Sequence, residues 1–114
     1  WKEASNENTL YMLAIADEKV IGYMGCWISY EEAQVTNVAV LPAYRGRGIG
    51  SRLFARTLAA VKKKGVTAMT LEVRPTNVPA LAIYEKYGFK AAGRRPHYYQ
   101  DDGEDAIIMW NTNI

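Results

Sequence analysis

The most concentrated chemistry in this sequence lies in one short run, Arg45-Gly46-Arg47-Gly48-Ile49-Gly50-Ser51, directly ahead of a segment with helical periodicity. Alternating glycines at the start of a helix let main-chain N–H groups converge on an anion, because no Cβ blocks the approach and the helix dipole favours negative charge. Arg45 and Arg47 add forked cationic donors at the same place. The natural guest is a phosphate or pyrophosphate. Two familiar phosphate motifs fail on inspection: a dinucleotide fingerprint needs glycine where Ser51 stands, and a P-loop needs lysine where Gly50 stands. The plain alternative is a tight strand-to-helix connection whose arginines are merely solvated.

Four other places carry reactive groups. Glu72 lies in an alternating segment where Met69, Leu71 and Val73 point one way and Ala68, Thr70 and Glu72 the other. Its carboxylate is a proton acceptor, an ordinary exposed strand residue, or a partner for Arg74. Tyr84 shares a stripe with Ala80, Ile83 and Tyr87, so periodicity reads it as core, yet a buried tyrosine can pack its ring and still aim its hydroxyl at a site. Tyr98-Tyr99 and Glu104-Asp105 fall in one long loop, where aromatics offer contact area and carboxylates suit a cationic amine. Cys26 sits mid-strand among apolar neighbours, far in sequence from His97, and a lone cysteine of that kind is a small hydrophobe, not a nucleophile.

Positioning these groups takes a mixed sheet. Tyr11 to Ala16 and Val20 to Tyr30 read as a hairpin about Asp17-Glu18-Lys19, and Ala33 to Leu41 follows as a third antiparallel strand. Gly22 and Gly25 inside the second strand mark a bulge or a close backbone approach. Trp1 to Thr9 is polar and Asn-rich, a helix end or a disordered start. Pro42 closes the strand, and the glycine run opens a helix with Leu53, Phe54, Thr57, Leu58 and Val61 on one face, Lys62 to Lys64 near its end and Gly65 as its stop. The strand Val66 to Val73 must then pair parallel by a right-handed crossover. Asn77 caps a second helix with Pro79 in its first turn and Gly88 beyond it, and Phe89 to Arg94 with Ala106 to Asn111 forms a closing hairpin. No repeat or linker breaks residues 1–114, which read as one domain.

These motifs carry a family resemblance. Arg45, Gly48 and Gly50 fill an RxxGxG pattern after TNVAVLP and before an amphipathic helix, which resembles the acetyl-coenzyme A motif of the GNAT acetyltransferase superfamily. Leu71-Glu72-Val73-Arg74 with Asn77, and Ala82 through Phe89, resemble the second half of that fold. Arg94-Arg95, Tyr98-Tyr99 and Glu104 through Met109 resemble its ribosomal-protein-alanine N-acetyltransferase (RimI-type) branch. The resemblance implies an α/β fold with a mixed, mostly antiparallel sheet, and direct transfer of acetyl from acetyl-CoA to a protein N-terminal amine, a ribosomal protein's N-terminal alanine foremost. It implies cofactor contacts at Val38, Ala39, Val40, Arg45, Gly46, Arg47, Gly48, Ile49, Gly50, Ser51, Asn77 and Tyr84. Glu72 becomes the general base, Tyr84 the donor to the departing thiolate, and Tyr98, Tyr99, Glu104 and Asp105 the acceptor wall. Two other readings remain open: transfer to a small amine or a lysine side chain, and a non-catalytic acyl-CoA-binding module. The family's first strand and first helix find no counterpart ahead of Tyr11, so the domain reads as incomplete at its front, with an unpaired edge on the strand Tyr11 to Ala16.

Composition bounds the rest. With 114 residues, 49% of them apolar, the chain can bury about two-thirds of its unfolded surface without metals or cross-links. Fourteen Lys and Arg against twelve Asp and Glu leave +2, too little to draw a nucleic acid or membrane by bulk attraction. One cysteine excludes an internal disulfide and a multi-cysteine zinc site, so no metal is expected and a reducing cytoplasm is the natural compartment. No apolar run approaches the roughly 18 residues of a spanning helix, and no leader pattern is present. The oligomeric state is left open.

Overall fold

Alternation builds the first half of the computed structural model, which describes residues 1–114. Strand β2 (Thr9–Ala16) buries Leu10, Met12 and Ala14, and β3 (Lys19–Ser29) buries Ile21, Met24, Cys26 and Ile28. Strand β4 (Glu32–Val40) pairs antiparallel with β3, and a register shift between Gly25 and Cys26 kinks that ladder. Gly25 is a close approach: a Cβ there would collide with the Tyr11 ring and the Asn37 amide.

The opening segment differs from the sequence reading. Lys2–Ser5 forms a strand, β1, paired antiparallel with β2 from Lys2↔Leu13 to Ser5↔Leu10. It is neither a helix end nor disordered, and four antiparallel strands stand where three were expected. The Asn6 side chain reverses the chain by accepting from Asn8 N–H, Thr9 N–H and the Thr9 hydroxyl, each at 2.9 Å. The edge expected on β2 is therefore covered, and the free edge lies on β1, whose four residues are all exposed.

After a 3-10 turn at Pro42–Tyr44, helix α1 (Ile49–Lys63) lays Leu53, Phe54, Thr57, Ala60 and Val61 across β2, β3 and β4. Strand β5 (Ala68–Val73), helix α2 (Val78–Lys86), β6 (Lys90–Arg95) and β7 (Ala106–Asn111) complete a seven-stranded sheet of order β1-β2-β3-β4-β5-β7-β6. This is the expected α/β architecture, with β4 and β5 as its one parallel pair. The last hairpin begins one residue later than the sequence pattern placed it: Phe89 is buried and bonded to the Tyr84 carbonyl at the end of α2. No helix is long and apolar enough to cross a membrane.

The feature that makes a site is how little β4 and β5 touch. They pair from Glu32↔Ala68 to Gln34↔Thr70 and then diverge, while β5 stays paired with β7 as far as Val73↔Ile107. From Val35 to Val40 the main chain of β4 has no strand partner on the side away from β3. Beyond the divergence the two halves are bridged by aromatic packing, with the Phe54 ring of α1 at 5.1 Å from Tyr84 and 5.4 Å from Phe89, both edge-on.

Candidate functional site: a cleft between diverging strands

Local backbone chemistry shapes one end of the cleft. Gly46 (φ +78) and Gly48 (φ +76) are left-handed, where a Cβ-bearing residue is strained. Gly50 is different, because it is an ordinary helical residue in the first turn of α1, where glycine costs up to about 1 kcal/mol relative to alanine. A Cβ there would meet no protein atom within 4 Å, so nothing in the fold itself demands glycine. The first bond of α1 runs from Arg52 N–H to the Gly48 carbonyl (3.1 Å), which leaves the N–H groups of Ile49, Gly50 and Ser51 without main-chain partners. A glycine required by no neighbour, beside unclaimed donors at a helix start with no acidic residue in its first turn, has the chemistry to receive an anionic group.

The arginines divide their work. Arg45 Nε donates to the Val40 carbonyl at 3.0 Å, tying the turn to the end of β4. Arg47 lies over the Tyr44 ring at 5.2 Å, and Ile49 packs against the core, so both face away from the cleft and offer the turn only their main chain.

Two cavities of about 440 Å³ each meet along the cleft. The first is lined by Val38, Ala39, Val40, Arg45, Gly50, Asn77 and Tyr84, all expected cofactor contacts, together with Met24, Phe54, Ala80 and Ile83. Asn77 also caps α2, its side chain accepting from Ala80 N–H at 3.3 Å. The second is lined by Gln34, Val35, Thr36, Asn37, Val38, Glu72, Tyr84, Tyr98 and Tyr99. Val38 and Tyr84 belong to both and mark the junction. Met24, Phe54, Gln34, Thr36 and Asn37 were not read as site residues from sequence; the adjacent polar residues Thr36-Asn37, which break the alternation of the strand, were the available signal.

Glu72 and Tyr84 thus face one cavity. The Glu72 side chain is 14% exposed, with Oε1 3.4 Å from Arg95 Nε and a buried Oε2 that has no hydrogen-bond partner. Leaving such an oxygen unsatisfied costs about 1–3 kcal/mol, which marks it as a place held open for chemistry. Its expected partner Arg74 is engaged elsewhere, by Asp101, Asp102 and Glu104. Burial pushes the Tyr84 phenol up to about 12, with Tyr99 adding to the effect, so the hydroxyl keeps its proton at neutral pH.

The expected acceptor wall divides. Tyr98 and Tyr99 reach the cavity, stacked edge-on at 5.0 Å. Glu104 and Asp105 do not: Glu104 accepts from Thr76 N–H (3.1 Å), the Thr76 hydroxyl (2.7 Å) and Arg74 (3.2 Å), while Asp105 accepts from Arg94 (3.2 Å) and His97 N–H (3.1 Å). Internal partners hold both carboxylates away from the cleft. Cys26 is buried, and desolvation raises its thiol from 9.0 to about 12, far from a thiolate. His97 shares its Nδ1 with the Gly103 carbonyl at 3.0 Å, inside its own loop.

Comparison with known proteins agrees with this geometry. The family described as Acetyltransferase (GNAT) matches residues 1–89. A Bacillus subtilis protein, provisionally assigned as a ribosomal protein bS18-alanine N-acetyltransferase, is 43% identical over 102 residues, covering 90% of this chain and 68% of that protein. The crystal structure of the ribosomal-protein-S18-alanine N-acetyltransferase from Escherichia coli superposes with a TM-score of 0.87 at 34% identity, over 96% of this chain and 73% of that one. A Bacillus anthracis acetyltransferase solved in complex with acetyl coenzyme A superposes with a TM-score of 0.78 at 26% identity, over 96% of this chain and 65% of that one. These likenesses show that the chain belongs to the GNAT acetyltransferase family and is an acetyl-CoA-dependent N-acetyltransferase.

Proposed function

We propose that this protein moves acetyl from acetyl-CoA directly to the α-amine of a protein N-terminus, with the N-terminal alanine of a ribosomal protein as its acceptor. The relatives named for bS18-alanine N-acetylation, in Bacillus subtilis and Escherichia coli, support that acceptor. The observation that carries the reading is the divergence of β4 from β5 after Gln34↔Thr70, which leaves a carboxylate with one unpartnered oxygen and a protonated phenol facing one cavity.

Each residue has a role. The N–H groups of Arg47 to Ser51 hold the diphosphate, with Arg45 and Gly46 shaping the turn. Acetyl-CoA supplies the acyl group as a thioester. The main chain of Val38 to Val40, unpaired on its cleft side, offers N–H donors to the polarised carbonyl. An α-amine has a pKa near 7.7–8.0, so much of it arrives protonated. Glu72 takes that proton through Oε2, directly or by water, which frees the nitrogen lone pair to form the new C–N bond, and the second proton, shed by nitrogen as the amide forms, passes to the phenolate that Tyr84 leaves behind. When the C–S bond breaks, Tyr84 donates to the sulfur; a thiol in the same dry cleft also has its pKa raised, which keeps the phenol a competent donor. Asn77 contacts the pantetheine arm.

Mass spectrometry of peptides with free α-amines, incubated with protein and acetyl-CoA, tests the reading. Acetylation confined to the N-terminal nitrogen, fastest for alanine-initiated ribosomal sequences, is expected. Acetyl found only on small amines or lysine side chains, or on no amine at all, would reject it.

A further inference from the structure

The densest polar network in the molecule lies outside the reacting groups, around Arg74. Its Nη1 donates to Asp102 at 2.7 Å and Glu104 at 3.2 Å, and its Nη2 contacts both oxygens of Asp101 at 3.0 Å. Its guanidinium carbon sits 3.9 Å from the centroid of the Tyr99 ring. One side chain therefore grips residues 99–104 by both its edge and its face. The loop closes on itself through Tyr99 N–H to the Glu104 carbonyl (3.1 Å) and Gly103 N–H to the Tyr99 carbonyl (2.8 Å).

Arg74 lies just past the end of β5, two residues from Glu72. The strand that presents the carboxylate thus also fixes the loop that carries the opposing wall, Tyr98 and Tyr99. Without the guanidinium, three carboxylates crowded within one short loop repel one another, and the Tyr99 ring loses the plane against which it rests.

We propose that Arg74 is the positioning residue of the acceptor side: it locks the loop between β6 and β7 so that Tyr98 and Tyr99 face Glu72 across the cavity, and it thereby sets affinity for the acceptor without touching the acetyl donor. The proposal rests on the acyl-transfer reading above. It also reassigns Glu104, which, with Asp101 and Asp102, holds Arg74 and does not meet the incoming amine. Lysine cannot replace the residue, because the grip needs a planar fork with a flat face.

The test uses the whole chain with Arg74→Gln and Arg74→Lys, read by hydrogen exchange and by steady-state kinetics. Exchange over residues 97–105 should rise at least about tenfold in Arg74→Gln, the loss expected when several charge-assisted bonds go, with α1 unchanged. The KM for an N-terminal peptide should rise about tenfold while the Kd for acetyl-CoA, measured by calorimetry, holds, and Arg74→Lys should recover only part of that loss. Unchanged exchange in the loop, an unchanged peptide KM, or a parallel loss of acetyl-CoA affinity would each overturn the proposal. If the wild type acetylates other amines instead of N-termini, the acceptor reading falls, and the same KM comparison with the accepted amine still decides the role of Arg74.

Discussion

The two halves of the cleft are made of different material. The half proposed to take the donor is mostly main chain: N–H groups at the start of α1, a glycine with open space where a Cβ would stand, and the free edge of β4. The half proposed to take the acceptor is mostly side chain: Glu72, Tyr98 and Tyr99, beside Arg74 and the carboxylates it gathers. A site of main-chain donors is fixed once the helix forms and depends on residues adjacent in sequence. One of converging side chains depends on contacts across 27 to 30 positions, and each partner can be lost separately. On the proposed reading, one half is rigid and generic and the other adjustable and selective.

Substitutions should separate the halves. Glu72→Gln keeps the shape of the carboxylate and removes its basicity. Turnover should fall on the order of 10³-fold while calorimetry gives an unchanged Kd for acetyl-CoA. Retained turnover would remove Glu72 from the chemistry.

Tyr84→Phe deletes a hydroxyl with no hydrogen bond inside the protein and keeps a ring packed on Phe54. The kcat should drop on the order of 10²-fold with little change in thermal midpoint. A fall in stability matching the fall in rate would make Tyr84 a core residue only.

Gly50→Ala should split stability from binding. Alanine in the first turn of α1 should stabilise the fold by up to about 1 kcal/mol, yet its methyl group enters the space through which the diphosphate approaches, weakening acetyl-CoA about tenfold. Denaturant melts and calorimetry on one sample give both signs. Improved stability with unchanged affinity would place the diphosphate elsewhere.

The smallest effect expected is an acid response confined to the acceptor half. Hydrogen bonds from Arg74 hold Asp101 below the usual carboxylate range, and those from Thr76 and Arg74 do the same for Glu104. Groups with depressed values contribute stability that is present above the ordinary carboxylate pKa and lost as pH falls through the folded one. Exchange over residues 97–105 should therefore begin to rise below roughly pH 4, ahead of any change in α1. Simultaneous loosening of both would show that the halves are not independent.

The same contrast explains how much the sequence disclosed. The glycine turn was legible because its requirements are local: left-handed φ at Gly46 and Gly48, and bare backbone at Gly50. The face of Glu72 followed from strand alternation, and the parallel pairing of β4 with β5 from the helix between them. The extent of the divergence was not legible, since where the parallel pairing stops, after Gln34↔Thr70, is a contact between distant segments that no local pattern marks. Glu104 and Asp105 read as acceptor contacts because nothing in their neighbourhood names Arg74, Thr76 or Arg94 as competing partners. Strand β1 was missed because all four of its residues are exposed, so no apolar alternation betrays it, and Asn6 makes the turn that composition alone reads as disorder.

The central claim is that main-chain amides between Arg47 and Ser51 clasp the diphosphate of acetyl-CoA, and amide shifts measured by NMR during titration with CoA address it directly. The account predicts that Arg47, Gly48, Ile49, Gly50 and Ser51 move furthest, with residues 97–105 nearly still. Largest shifts at another part of the surface, or saturation with no movement in this turn, would contradict it.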